Sequence, residues 1–153
     1  TDGKNGGVYT ADELALKIVD LFPKGKEIFV VCTGGEPALQ VDENLIHIFH
    51  RYHIEIAIET NGTKILPQGI DWICVSPKEN TDIVIKKGNE LKLVFPQVGN
   101  HPSQFDDLDF EHFYLQPCDD LHKQDNVASC VDYCLKHPHW KLSLQTHKIL
   151  GID

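Results

Sequence analysis

Short apolar runs that close on small and polar residues recur along the whole chain, and this rhythm restricts the fold more than any single residue does. Glu27–Cys32 runs into Thr33-Gly34-Gly35-Glu36-Pro37, and Ile54, Ile56 and Ile58 alternate with Glu55, Ala57 and Glu59 before Thr60-Asn61-Gly62. Asp71–Val75 ends at Ser76-Pro77-Lys78, while Glu90–Phe95, His112–Gln116 and Trp140–Gln145 end at Pro96-Gln97, Pro117 and Thr146-His147. Runs this short, rich in β-branched and aromatic residues and bounded by turn formers, read as buried strands. Helical spacings lie between several of them. Thr10 and Glu13 form a capping box ahead of Leu14, Ile18 and Leu21, which predicts a helix from about Ala11 to Phe22 stopped by Pro23 and Gly25. Asp42 caps a second helix through Tyr52, and a third runs from about Asn126 to Lys136 before Pro138. Strands alternating with helices predict an α/β fold with a parallel sheet, open or closed into a barrel. The connections after Ser76 and Phe95 are polar and short of room for full helices, so the helical layer is reduced and the barrel partial.

A chain of 153 residues with 41% hydrophobic content suits one compact domain covering residues 1–153. The excess of 23 acidic over 14 basic side chains gives a net charge of -9, and no basic cluster offsets it, which argues against a nucleic-acid partner. No apolar run approaches the roughly 20 residues of a spanning helix, and Thr1–Gly7 lacks the regions of a signal peptide, so no membrane partner and a cytoplasmic setting are expected. The cysteines, at 32, 74, 118, 130 and 134, are odd in number and mostly set in apolar runs, which suits reduced thiols rather than disulfides. Cys130 and Cys134 share a helix face and read as core. The absence of Met and the glycine-rich opening at Thr1 raise the expectation that further residues precede the chain.

In a parallel α/β barrel all strand carboxyl ends lie on one face, so the groups that close the runs are expected to converge on a single site. Gly34-Gly35 lets a backbone pass close to a ligand and offers amide and carbonyl groups to it, with Glu36 as an acceptor for a cation. The same residues read equally as a turn in which Glu36 and Pro37 start a helix. Asn61-Gly62 and Ser76-Pro77 each have an ordinary reading as a turn or strand stop. A phosphate-binding loop is excluded, because no Lys and Ser or Thr follow the glycines in the required places.

Cys32-Thr33-Gly34-Gly35-Glu36-Pro37 resembles the motif with which radical S-adenosylmethionine enzymes hold the methionine amino group of their cofactor. Taken with Glu59-Thr60-Asn61-Gly62-Thr63, Val75-Ser76-Pro77-Lys78, Glu90–Gln97, Leu115-Gln116-Pro117 and Leu144-Gln145-Thr146-His147-Lys148, in this order, the chain is similar to the 7-carboxy-7-deazaguanine synthase family over essentially its whole length. The resemblance implies a partial TIM-like barrel of the radical S-adenosylmethionine type with about six parallel strands. It implies conversion of 6-carboxy-5,6,7,8-tetrahydropterin to 7-carboxy-7-deazaguanine, in queuosine biosynthesis, through a deoxyadenosyl radical that abstracts hydrogen from the pterin; ring contraction and loss of ammonia follow. The implied cofactors are S-adenosylmethionine (SAM), a 4Fe-4S cluster and Mg2+, and the implied partners are a flavodoxin- or ferredoxin-like electron donor and a second copy of the chain in a homodimer. Thr33, Gly34, Gly35 and Glu36 would line the methionine end of SAM, and Ser76, Lys78 and Gln116 would contact its carboxylate, ribose or adenine side. Thr33, Gly35, Glu59, His147 and the terminal Asp153 would face the pterin.

The chain departs from the family at its last residue, Asp153 where relatives often end in Pro, and at the cluster. A cluster of this kind needs three closely spaced thiolates, and no such triplet occurs in the sequence. The cluster ligands, and the residues that bind Mg2+ beside them, are expected upstream of Thr1, so the 153 residues alone are expected to be inactive. Two other classes stay open on the residues: a non-catalytic barrel remnant that binds a nucleoside-like ligand, and a lyase using Lys78 as a Schiff-base amine with Glu59 as base.

Overall fold

The computed structural model describes residues 6–152. Asp153 lies outside them. Among the described residues the chain forms four α-helices and a parallel six-stranded sheet in the order β1-β2-β3-β4-β5-β6, with β1 and β6 at its two edges. The expected α/β class with a thin helical layer is therefore present. The chain divides into two compact units, one running up to Ile58 with Leu66–Trp72 added, the other holding Glu59–Ile65 and everything from Ile73 onward.

The first unit opens with α1 (Ala11–Leu21), whose capping box forms as expected: the Glu13 amide donates to Thr10 Oγ1 at 3.3 Å and the Thr10 amide to Glu13 Oε2 at 2.8 Å. The helix stops one residue earlier than expected because Phe22 is already extended. β1 (Ile28–Cys32) leads through a short 3-10 turn at Pro37–Leu39 to α2 (Glu43–Arg51), where the Asp42 carboxylate accepts the Leu45 amide at 2.8 Å. β2 (Ile54–Thr60) then pairs in parallel with β1, Ile28 beside Ile54 and Cys32 beside Ile58. Ile46, Ile48, Phe49, Ile54, Ile56 and Ile58 are buried. Asp71 fastens the segment after β2, since its Oδ2 accepts the Ile56 amide at 2.8 Å and faces His50 Nε2 at 2.9 Å.

The second unit holds β3 (Trp72–Val75), β4 (Lys87–Phe95), β5 (Asp109–Pro117) and β6 (Trp140–Leu142), with α3 (Lys123–Lys136) between the last two strands and α4 (Thr146–Leu150) after them. Its core joins Val75, Leu91, Leu93, Phe113, Leu115 and Trp140 to Cys130 and Tyr133 of α3. No α-helix fills the β3–β4 or β4–β5 connection, the latter carrying only a 3-10 turn at Pro102–Gln104.

Several boundaries differ from the periodicity, for physical reasons. β4 and β5 both begin earlier because Lys87 and Gly88 find partners in Asp109 and Phe110. Gly88 fits there because it has no side chain: a Cβ would stand 2.9 Å from the Phe110 ring. α3 begins at Lys123 rather than near Asn126, since Asp120 accepts the His122 amide at 2.7 Å and turns the chain into the helix sooner. β6 is shorter than expected, ending at Leu142 apart from one further bond from the Ser143 amide to the Leu115 carbonyl at 2.8 Å. Past Gln145 the chain enters α4, where no helix was expected. Asn61-Gly62 is more than a turn. Gly62 has φ +81°, and a Cβ would lie 2.7 Å from Val75 Cγ1 and 3.0 Å from Ile83 Cγ2, so only glycine lets the chain pass this close to the core.

Candidate functional site

In a strand, alternate side chains take opposite faces, and residues paired in parallel register share a face. Val75, Leu91, Phe113 and Trp140 are linked by register from β3 to β6, as are Leu93 and Leu115, and these form the apolar face that α3 covers. The other face is of a different kind. Cys74 pairs with Glu90 and Glu90 with His112; Lys92 pairs with Tyr114 and Tyr114 with Lys141; Val94 pairs with Gln116. The second unit thus presents a polar sheet face with Glu90 and Lys92 on β4, His112 and Tyr114 on β5 and Lys141 on β6, a composition that suits ligand binding better than a packed core.

Glu59 stands at the head of this face. Lys92 Nζ donates to Glu59 Oε1 at 2.6 Å, and the lysine side chain keeps only 19% of its surface exposed. Burial opposes the ammonium's charge, but the hydrogen bond to Glu59 and the neighbouring acidic groups outweigh it, so Lys92 titrates above the usual lysine range and stays charged. Beneath them the Cys74 thiol is pushed up to about 12, chiefly by burial. The rings of His112 and Tyr114 meet edge to face at 6.2 Å, and Lys141 Nζ sits 5.9 Å from the Tyr114 ring centre.

Of the residues expected to bind a ligand, Thr33 to Glu36, Ser76, Lys78 and Gln116 lie at or just past strand carboxyl ends. In the first unit Thr33, Gly34 and Gly35 are exposed just past β1, and both glycines are left-handed, with φ +80° and +53°. Nothing lies within 4 Å of where a Cβ would be built on either. Their backbone therefore faces open space and can be approached closely. Glu36 caps the 3-10 turn, its Oε1 accepting the Ala38 amide at 3.0 Å, so the helix-starting reading of Glu36-Pro37 is realised in the same loop. In the second unit the buried Ser76 follows β3, its amide donating to the Thr60 carbonyl at 2.7 Å, and the exposed Lys78 reaches back so that Nζ donates to Ser76 Oγ at 3.0 Å. Thr60 Oγ1 accepts the Gly62 amide at 3.2 Å and Asn61 Oδ1 the Thr63 amide at 2.9 Å, which braces the turn after Glu59. Gln116 is half-buried near the end of β5. His147 lies exposed on α4 rather than at a strand end.

The sequence reading assigned no role to three charged residues that the structure brings into this region. Lys92 is one. The others are Asp119 and Lys148, whose ion pair ties α4 to the segment after β5, with Lys123 Nζ a second partner of Asp119 at 2.8 Å. The hydrogen bonds from Lys123 and Lys148 hold the Asp119 carboxyl down at about 2. A signal for Lys92 exists in Glu90-Leu91-Lys92-Leu93: charges that alternate with core leucines in a central strand must lie on a second, hydrated or paired face.

The thiols do not suit an iron-sulfur cluster. All five titrate above their usual range with burial the leading cause, Cys130 also at about 12, and Cys130 Sγ donates to the Phe95 carbonyl at 3.4 Å inside the core. A ligating cysteine must be a thiolate. Among the described residues no group of three or more His, Cys, Asp or Glu is placed to hold a metal ion. In the first unit the Gly34-Gly35 backbone is open to a ligand's close approach, and in the second the Lys78 ammonium can meet a carboxylate as a point charge.

No family model matches the chain. It is 51% identical over 99% of its length to the 7-carboxy-7-deazaguanine synthase of Caulobacter vibrioides, and equally to that of Bradyrhizobium diazoefficiens, spanning 73% of each. The crystal structure of QueE from Escherichia coli shares the fold with a TM-score of 0.69 at 24% sequence identity, over 90% of this chain and 64% of that one. Among the described residues no helix is long and apolar enough to cross a membrane.

Proposed function

The chain belongs to the 7-carboxy-7-deazaguanine synthase family, and from that membership we propose that it is the ligand-holding part of a radical SAM lyase. The reaction is conversion of 6-carboxy-5,6,7,8-tetrahydropterin to 7-carboxy-7-deazaguanine with loss of ammonia, in queuosine and related 7-deazapurine biosynthesis. The observation that carries this reading is 51% identity across 99% of the chain. The polar sheet face and the open glycine pair support it.

The radical chemistry belongs to the cofactors, and the protein's contribution is binding, orientation and exclusion of water. Gly34 and Gly35, with Thr33 and Glu36, hold the amino end of SAM, and Lys78 with Ser76 and Gln116 meets its carboxylate or nucleoside side. Glu59 and His147 face the pterin, with Thr33, Gly35 and Asp153 beside it. Within residues 1–153 no three cysteines are closely spaced enough to ligate the cluster, and no residue is assigned to Mg2+. A cytoplasmic setting, a homodimer and a flavodoxin- or ferredoxin-like electron donor belong to the same reading.

Anaerobic reconstitution tests the division of labour. Residues 1–153 alone are expected to form no stable iron-sulfur absorbance, whereas the same residues joined to a cysteine-triplet segment should form it and turn over the pterin. His147→Ala in that joined protein should impair pterin turnover while leaving SAM binding near the parent value. A stable cluster on residues 1–153, or a loaded protein that leaves the pterin untouched, contradicts the proposal.

A further inference from the structure

Lys92 stands on β4 and Glu59 near the end of β2, with β3 between them in the sheet. The ammonium nevertheless meets the carboxylate at 2.6 Å. Cys74 makes this possible: it is the β3 residue paired with Glu90 on that face, it is small and 3% exposed, and the charges of Lys92, Glu90 and Glu59 all act on its thiol. A larger side chain at that position would stand in the lysine's path. Lysine is rarely withdrawn from water without a partner, because its hydration is lost and must be replaced. Lys136 and Asp132 form a contrasting pair, 67% and 64% exposed and open to exchange with solvent. The Lys92 ammonium has far less water to turn to, so it holds its carboxylate in one place.

We propose that Lys92 is a positioning residue for the reaction: it fixes the Glu59 carboxylate at the head of the polar sheet face, oriented to accept the N–H groups of a pterin's amino-pyrimidine edge. The inference rests on the reading that Glu59 faces the pterin. Lys92 itself need not touch substrate.

The test is a double-mutant cycle in the holoenzyme, comparing Lys92→Met, Glu59→Gln and the two together by equilibrium binding of 6-carboxytetrahydropterin and by thermal unfolding. Each single variant should weaken pterin binding by about tenfold or more, and the double variant no further, since both changes remove one arrangement. Lys92→Arg should restore most of the affinity, and SAM affinity should stay within about twofold throughout. In unfolding, the double variant should be more stable than Glu59→Gln, which leaves the Lys92 ammonium, 19% exposed, without the carboxylate it meets. If Lys92→Met fails to fold, Lys92→Arg and the double variant carry the comparison. A Glu59→Gln loss without a Lys92→Met loss, or losses that multiply in the double variant, overturns the positioning role while leaving Glu59 on the pterin. Should neither single variant weaken binding, Glu59 is no pterin ligand, and the inference falls with that assignment.

Discussion

Trp140→Ala is expected to cost about 3–5 kcal/mol of folding stability, a large share of what a domain of this size commands. Trp140 opens the edge strand β6, and its indole is only 2% exposed. It meets the Phe113 ring edge to face at 5.2 Å and the Tyr133 ring at 6.4 Å, so it joins β5 to α3. Its Nε1 also donates to Asp106 Oδ1 at 2.7 Å, which fastens the β4–β5 connection. Truncation therefore opens a cavity and strips a hydrogen bond from a carboxylate at once. Trp140→Phe keeps most of the volume and loses the donor, so its cost should fall to about 1–2 kcal/mol. Urea unfolding of the two variants separates the contributions, and a loss below about 1 kcal/mol for the alanine variant would show that the edge strand repacks.

Gly35→Asn should leave the fold within about 1 kcal/mol of the parent while weakening SAM binding about a hundredfold. Asparagine is the substitution of choice because it tolerates the left-handed conformation that Gly35 holds at φ +53°. The side chain would enter space in which nothing now lies within 4 Å. The fold can therefore accept the residue, and a ligand drawn up against the backbone cannot. Isothermal titration with SAM, set beside a thermal melt, reads both halves. Unchanged SAM affinity in a normally folded variant would remove the glycine pair from the site.

The parts of this protein that were legible in its sequence are those governed by local periodicity. Ile54, Ile56 and Ile58 are all buried in β2, the Thr10–Glu13 box caps α1, and Cys130 packs in the core as its place on an apolar helix face implied. α4 was not legible, because Gln145 supplies no side-chain cap and Ile149 and Leu150 remain exposed, so no amphipathic pattern marks it. The one usable signal is Gly151, which closes the helix at φ +65°. The Lys92–Glu59 pair depends on how β2, β3 and β4 are set against one another, which no window of a few residues contains. For the same reason Gly62 read only as a turn, although its lack of a side chain answers to Val75 and Ile83, distant in sequence.

Amide chemical shifts recorded while SAM is added to the protein put the proposed SAM-carrying loops at the strand carboxyl ends to the test. The amides of Gly34, Gly35, Ser76, Lys78 and Gln116 should move together along one saturation curve. Saturable SAM binding that leaves those amides still, and moves instead those around His137, His139 and Trp140 at the opposite strand ends, would contradict that assignment.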